Sequence, residues 1–286
     1  MFDAENTQSK IIDFAKRDDR VRAAVLTGSR ANPLIEPDAY QDFDVIFIVQ
    51  QISEFIADKS WLDYFGRPHL QQFPDDMNLG NDWPNDKHSY TILTVFEDGS
   101  RFDSTLFPKE YFKNEFTNDS LAVVLVDKDQ LFEKIADSSD KDYHIKKPSF
   151  VEFSEVCNEF WWCCPNVAKA LKRGQILYAK HQLEVIVRPM FMQVLNWKIG
   201  IDTQFSISTG KFGSHAKPYL SDTLFTEVLK TYADSNLKAN WKALHHMMQL
   251  FKSLQRFCAE HFEYDFNEIE AENSIQFTKK IEEFPD

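Results

Sequence analysis

At 286 residues, with 43% hydrophobic and 14% aromatic content, the chain can bury one large core or two modest ones, which excludes a disordered tail. A formal net charge of -13 argues against a general nucleic-acid binder, because a phosphate backbone would be repelled, and favours a cationic small substrate. No apolar run reaches transmembrane length and Met1-Phe2-Asp3-Ala4-Glu5 lacks the basic and apolar regions of a secretory leader, so a cytoplasmic protein with no membrane partner is expected.

The first half reads as a helix over 8–16 followed by short apolar runs of strand length. The run Ala23-Ala24-Val25-Leu26 within Val21–Thr27 is closed by Gly28-Ser29-Arg30. Glycine lets the backbone turn sharply and approach a ligand, so backbone N–H groups and the Ser29 hydroxyl could meet phosphate. The next strand, Phe43–Val49, has Asp42 and Asp44 at its head. Two apart on a strand, both carboxylates face the same way, and paired oxygen ligands suit Mg²⁺. Further strands are expected over 89–96, 101–106 and 121–126. On 101–106, Phe102, Ser104 and Leu106 share one face, which leaves Asp103 on the other with Arg101 and Thr105. Asp103 could therefore join Asp42 and Asp44. Gly-Ser alone is an ordinary turn and Asp-x-Asp alone a solvated strand end; the strand–turn–strand order with a later strand-borne Asp gives them a shared purpose.

The chain changes character near residue 145. Polar residues 137–142 read as a connection, and Lys147-Pro148-Ser149 gives a helix start. Helical periods follow over Phe150–Lys172, 175–199, 221–233 and 238–262. The expected fold is α+β, with a mixed β-sheet domain over 1–147 and an α-helical bundle domain over 148–286. Along the first of these helices Glu155, Glu159, Trp162, Asn166, Lys169 and Arg173 recur at spacings of three or four and lie along one face. The acidic and aromatic half, Glu159 with Trp161 or Trp162, could receive a cationic, sugar-like ligand; an ordinary solvent face with a core tryptophan is the alternative. Pro165 should bend or interrupt this helix. Cys157, Cys163, Cys164 and Cys258 show neither zinc-ligand spacing nor a disulfide framework and read as reduced thiols near the core. His245-His246 is a weak site candidate, since adjacent helical residues face different ways.

The sequence resembles the aminoglycoside 6-adenylyltransferases, a branch of the polymerase-beta-like nucleotidyltransferase superfamily. The likeness runs through Gly28-Ser29-Arg30-Ala31-Asn32, Gln41-Asp42-Phe43-Asp44, Trp61-Leu62, Phe65-Gly66 and Pro74 with Met77. It continues through Asp142-Tyr143-His144, Cys157-Asn158-Glu159-Phe160-Trp161, Val167-Ala168-Lys169, Ile186-Val187-Arg188, Trp197-Lys198 and Ser208-Thr209-Gly210-Lys211. The resemblance implies a nucleotidyltransferase domain that binds ATP and two Mg²⁺ ions, followed by an aminoglycoside-binding helical domain. It also implies transfer of AMP to a hydroxyl of streptomycin or a related aminoglycoside, an antibiotic-resistance activity. The metal carboxylates fall on Asp42, Asp44 and Asp103, the triphosphate contacts on Gly28, Ser29 and Arg30, and a cationic partner for the triphosphate on Lys169.

One position departs from the family pattern. His181 stands where the family carries an Asp that resembles a general base, so the base is expected to be either His181 or Glu184. An imidazole with an ordinary pKa near 6.5 is poised for that work at neutral pH. Two other readings stay open here: a related enzyme with another hydroxyl acceptor, and a binding protein that keeps the nucleotide site but lacks efficient chemistry.

Overall fold

The computed structural model describes residues 4–77, 88–117, 119–133 and 137–285; Met1–Asp3 of the leader argument lie outside them. The chain divides into two compact units, Met1–Asp142 and Tyr143–Asp286. The division falls ahead of Pro148 because the segment before that proline belongs with the helices. Ile145 donates its N–H to the Ile207 carbonyl at 3.0 Å and packs on the helical core.

The first unit is built on strands β1 (Val21–Thr27), β2 (Phe43–Val49), β3 (Pro68–Gln72), β4 (Tyr90–Phe96), β5 (Arg101–Pro108) and β6 (Ala122–Asp127). Their order across the sheet is β3-β4-β5-β2-β1-β6. Among the described residues only β2 and β5 run parallel, and the others pair antiparallel, giving the mixed sheet. A parallel pair needs a long crossover, and the intervening chain supplies it with helix α2 (Ile52–Ala57) and strands β3 and β4. Helix α1 (Ala4–Arg17) lays Ile11 and Phe14 on a core with Phe47, Phe55, Trp61, Phe65 and Phe102. Each such side chain removed from water contributes about 1.5–3 kcal/mol. The opposite face carries a smaller cluster of Ala23, Ile48 and Phe112, the last from helix α3 (Phe112–Glu115). These two layers fix β2 beside β5, and with them the residues at the strands' leading ends.

The helical unit begins at α4 (Phe150–Lys172), capped by the Ser149 hydroxyl accepting from the Glu152 N–H at 3.1 Å. It continues with α5 (Ile176–His181), a π-helical turn over Gln182–Val187, α6 (Arg188–Asp202), α7 (Asp222–Leu229), α8 (Leu237–Phe262) and α9 (Glu268–Glu283). The predicted 175–199 helix is thus two helices joined by a wider turn. Helix α4 runs through Pro165 rather than stopping there. Proline offers no N–H to the carbonyl four residues back, which is Trp161, and the Ser274 hydroxyl from α9 donates to that carbonyl at 2.6 Å instead. Phe160 stacks on Phe251 with ring centres 3.6 Å apart, and the Trp161 indole N–H donates to Gln255 Oε1 at 2.8 Å. All four cysteines are buried free thiols, and burial pushes those of Cys157, Cys163, Cys164 and Cys258 upward. Among the described residues no helix is long and apolar enough to cross a membrane.

Candidate active site

Strand β1 ends in the turn Gly28–Ala31, where Gly28 takes a φ of 70°. That conformation favours glycine, and a second constraint is stronger. A Cβ at Gly28 would stand 2.3 Å from Asp44 Oδ2, so the bare backbone is what lets the Asp44 carboxylate lie against the turn. Ser29 is half-buried in the same turn, and its carbonyl accepts from the Asn32 N–H at 3.2 Å.

Asp44 lies on β2 with Asp103 directly beside it on β5, the two being register partners in the parallel pair. Partners in a parallel pair point the same way, so both carboxylates reach the same side of the sheet. Asp42 precedes β2 and is not within it. The Asp-x-Asp pair is therefore carried by a loop residue and a strand residue, and Asp42 is held by side-chain contacts. Arg101 provides them: its guanidinium forms a fork on Asp103, at 3.0 Å from Nε to Oδ1 and 2.7 Å from Nη2 to Oδ2, and reaches Asp42 Oδ2 at 3.2 Å through Nη1. Sequence reasoning placed Arg101 on the Asp103 face but gave it no role. The signal was there, in a basic residue two positions before a strand-borne carboxylate.

The crowding shows in the ionisation of the carboxyls. Burial, then the charges of Asp103 and Asp42, push Asp44 up to about 6, against the pull of Arg101. Asp42 is also raised, first by burial and then by Asp103, with Arg101 and Arg30 opposing. Raised carboxyls sharing one site are the electrostatic mark of a place that favours added positive charge. An all-oxygen donor set of three carboxylates has the chemistry of a hard divalent cation. As arranged, Arg101 lies on two of them, and among the described residues no group of three or more His, Cys, Asp or Glu is gathered to hold an ion.

Arg30 differs from its expected use. Its guanidinium is turned onto the backbone, donating to the Gln41 carbonyl at 2.7 Å and the Asp42 carbonyl at 3.1 Å, and lies 4.1 Å from the centre of the Phe43 ring. It ties the Gly28–Ala31 turn to the loop that delivers Asp42, so it positions a carboxylate.

In the helical unit the two tryptophans separate cleanly. Trp161 is 1% exposed and belongs to the core, whereas Trp162 is 73% exposed. Both tryptophans border the cavity between α4 and α9, Trp162 with an open ring and Trp161 from the core, its indole bonded to Gln255. Glu159 is exposed on the same face of α4 and accepts from the Cys163 thiol at 3.2 Å. Trp162, Asn166 and Lys169 line one wall of a cavity of about 520 Å³ whose other wall is α9, with Phe277 5.9 Å from the Lys169 ammonium. His181 ends α5 and is exposed. Glu184 sits in the π-helical turn and is heavily engaged: it accepts from Arg188 Nε and Nη2 and, at 3.2 Å, from Lys180 Nζ. Burial would raise its carboxyl, but the Arg188 hydrogen bond and charge, then Lys180, hold it below the usual range. Arg188 is itself buried, donates to Thr231 Oγ1 at 2.9 Å and to the Thr231 carbonyl at 3.0 Å, and lies 3.6 Å under the Tyr232 ring. Glu184 is thus the counter-ion of a buried arginine.

A family profile described as streptomycin adenylyltransferase matches residues 1–281 of the chain. The chain belongs to this family. The aminoglycoside 6-adenylyltransferase of Bacillus subtilis is 36% identical over 274 residues, covering 94% of each chain. The protein of the same name from Campylobacter jejuni is 36% identical, covering 90% of this chain and 88% of its own. That of Staphylococcus aureus is 33% identical, covering 93% and 95%. The crystal structure of an aminoglycoside 6-adenyltransferase from B. subtilis aligns with a TM-score of 0.49 at 29% identity, covering 99% of this chain and 100% of that one.

Proposed function

We propose that the protein transfers AMP from ATP to a hydroxyl of an aminoglycoside, streptomycin being the first choice, and thereby gives antibiotic resistance. The observation that carries the reading is the in-register pair Asp44 and Asp103 set against the Gly28 turn, in a chain of the adenylyltransferase family. The acceptor oxygen would bond to the α-phosphorus as the bond to the β-phosphate oxygen breaks; pyrophosphate leaves and the hydroxyl proton passes to a base. Asp42, Asp44 and Asp103 are the residues that would hold divalent cations, Mg²⁺ by preference. When bound, such ions neutralise the charge that develops on the phosphates and favour ionisation of the acceptor hydroxyl.

The chain's own groups divide the remaining work. The Gly28–Ala31 turn and the Ser29 hydroxyl receive the phosphates. Arg30 acts one step back, fixing the loop that carries Asp42. Glu159 and Trp162 recognise guanidinium or ammonium groups of the acceptor by charge-assisted hydrogen bonding and cation–π contact, and Lys169 adds a cation for the nucleotide. His181 takes the hydroxyl proton. This assignment is favoured over Glu184 because a carboxylate already carrying Arg188 and Lys180 is a weak proton acceptor. Mass spectrometry of an aminoglycoside panel incubated with ATP and Mg²⁺ tests the reading: streptomycin should gain one AMP, and a panel with no adenylylated product overturns it.

A further inference from the structure

The Arg101 side chain stands out because it spends its whole fork on the carboxylates that the proposed function would give to a metal. It is bidentate on Asp103 and reaches Asp42 with the remaining amine, while Asp44 is left facing the Gly28 turn. Its position follows from the strand: residues 101 and 103 of β5 project to the same side, so the guanidinium lies over its neighbour. At 44% exposed it has water on one side. A guanidinium is permanently charged and cannot release its hold by losing a proton. A divalent ion approaching these oxygens therefore meets a resident cation.

Resting on the proposed function, we propose that Arg101 is the internal counter-charge of the carboxylate cluster, a positioning residue that a divalent cation must displace before it can bind Asp42 and Asp103. Two consequences follow. In the free chain Arg101 keeps mutually repelling carboxylates compatible with folding. It also keeps the site closed to cations until something else neutralises the guanidinium, and a triphosphate has the charge to do so. The chain would then take up metal with nucleotide and only weakly alone.

The test measures Mn²⁺ binding to the full chain without nucleotide, from the free-ion electron paramagnetic resonance signal, with thermal melts recorded alongside. Arg101→Gln removes the charge and keeps a polar side chain; it should bind Mn²⁺ at least about tenfold tighter than wild type, as expected when a cation a few ångströms away is removed. Arg101→Lys keeps the charge but loses the fork and should fall between the two, and it serves if the glutamine variant fails to fold. Adding Asp44→Asn to Arg101→Gln should abolish the gain, which ties it to this cluster. Equal affinities for wild type, Arg101→Gln and Arg101→Lys overturn the counter-charge role; if the wild-type chain still adenylylates an aminoglycoside, the functional reading stands. If no variant binds Mn²⁺ and no aminoglycoside gains AMP, both fall.

Discussion

Replacing Asp44 by Asn separates what the residue does for folding from what it does for chemistry, because the two effects have opposite signs. In the folded chain the Asp44 carboxyl is pushed up from 3.8 to about 6 by burial and by its neighbours Asp103 and Asp42. A carboxyl raised by folding is ionised at a cost. That cost grows as pH climbs from about 4 to about 6 and stays constant above. At about 1.4 kcal/mol per pH unit the full effect would be about 3 kcal/mol, and the remaining solvent contact cuts it to about 1–2 kcal/mol. Asparagine keeps the shape and removes the charge. In metal-free buffer at about pH 8, Asp44→Asn should therefore melt about 3–6 °C above wild type, and the gain should shrink towards nothing at about pH 4. Turnover should collapse in the same variant, since an anionic ligand is gone and the loss of metal-mediated charge stabilisation costs several kcal/mol. Calorimetry across pH in the presence of a chelator gives the first result and AMP transfer the second. A variant less stable than wild type at about pH 8, or one equally stabilised at both ends of the range, refutes the electrostatic argument; wild-type turnover refutes the chemical one.

Gly28→Ala places a methyl 2.3 Å from Asp44 Oδ2 at a φ of 70°, so it should abolish turnover and lower stability by about 1–3 kcal/mol, read from activity and urea denaturation. Glu184→Gln leaves the buried Arg188 without its anion and should cost about 2–3 kcal/mol at neutral pH. Because folding lowers the Glu184 carboxyl, its contribution is present above the ordinary carboxyl range and is lost as pH falls through the lowered value, so the deficit of the variant should fade in acid. His181→Ala should lower kcat by about 10²–10⁴, whereas His181→Asp should keep substantial activity; an unchanged rate in His181→Ala would move the base elsewhere.

Where a segment's burial is imposed by its own pattern, the fold was legible in the chain. Strands β1 and β2 carry apolar runs buried on both faces and lie where those runs predict, and the alternation over 101–106 puts Phe102, Ser104 and Leu106 inward. The mixed sheet followed from short strands ahead of long helices. Strand β3 escaped notice because Pro68-His69-Leu70-Gln71-Gln72 has no apolar alternation: it is an edge strand paired only to β4, with exposed residues along most of its length. Helix α9 escaped for a related reason. Its buried face is Ala271, Ser274, Ile275 and Thr278, small and polar enough to leave no clear helical stripe. The break within 175–199 did leave a local mark, Pro189, which offers no N–H to the Val185 carbonyl four residues back and stands just past the π-helical turn.

The candidate site divides along the same line. Residue types and spacing announce carboxylates and a glycine turn, because chemistry of that kind demands particular side chains at particular steps along a strand. They do not say where a long, flexible cation will settle. Arg30 and Arg101 both sit near predicted phosphate and metal ligands; from sequence Arg30 reads as a triphosphate contact and Arg101 only as a neighbour on the Asp103 face. In the fold one is spent on backbone carbonyls and the other on carboxylates. The choice depends on Gln41 and Asp42 being brought back against the Gly28 turn by the antiparallel pairing of β1 with β2, and on β5 entering parallel beside β2. Those are consequences of topology, which fixes the partners of a charge long before any ligand competes for it. The first-order electrostatics of the site is therefore a competition between internal ion pairs and incoming charge. Arg101 is where that competition is most exposed to measurement, because its two carboxylates are two of the three proposed to hold a cation.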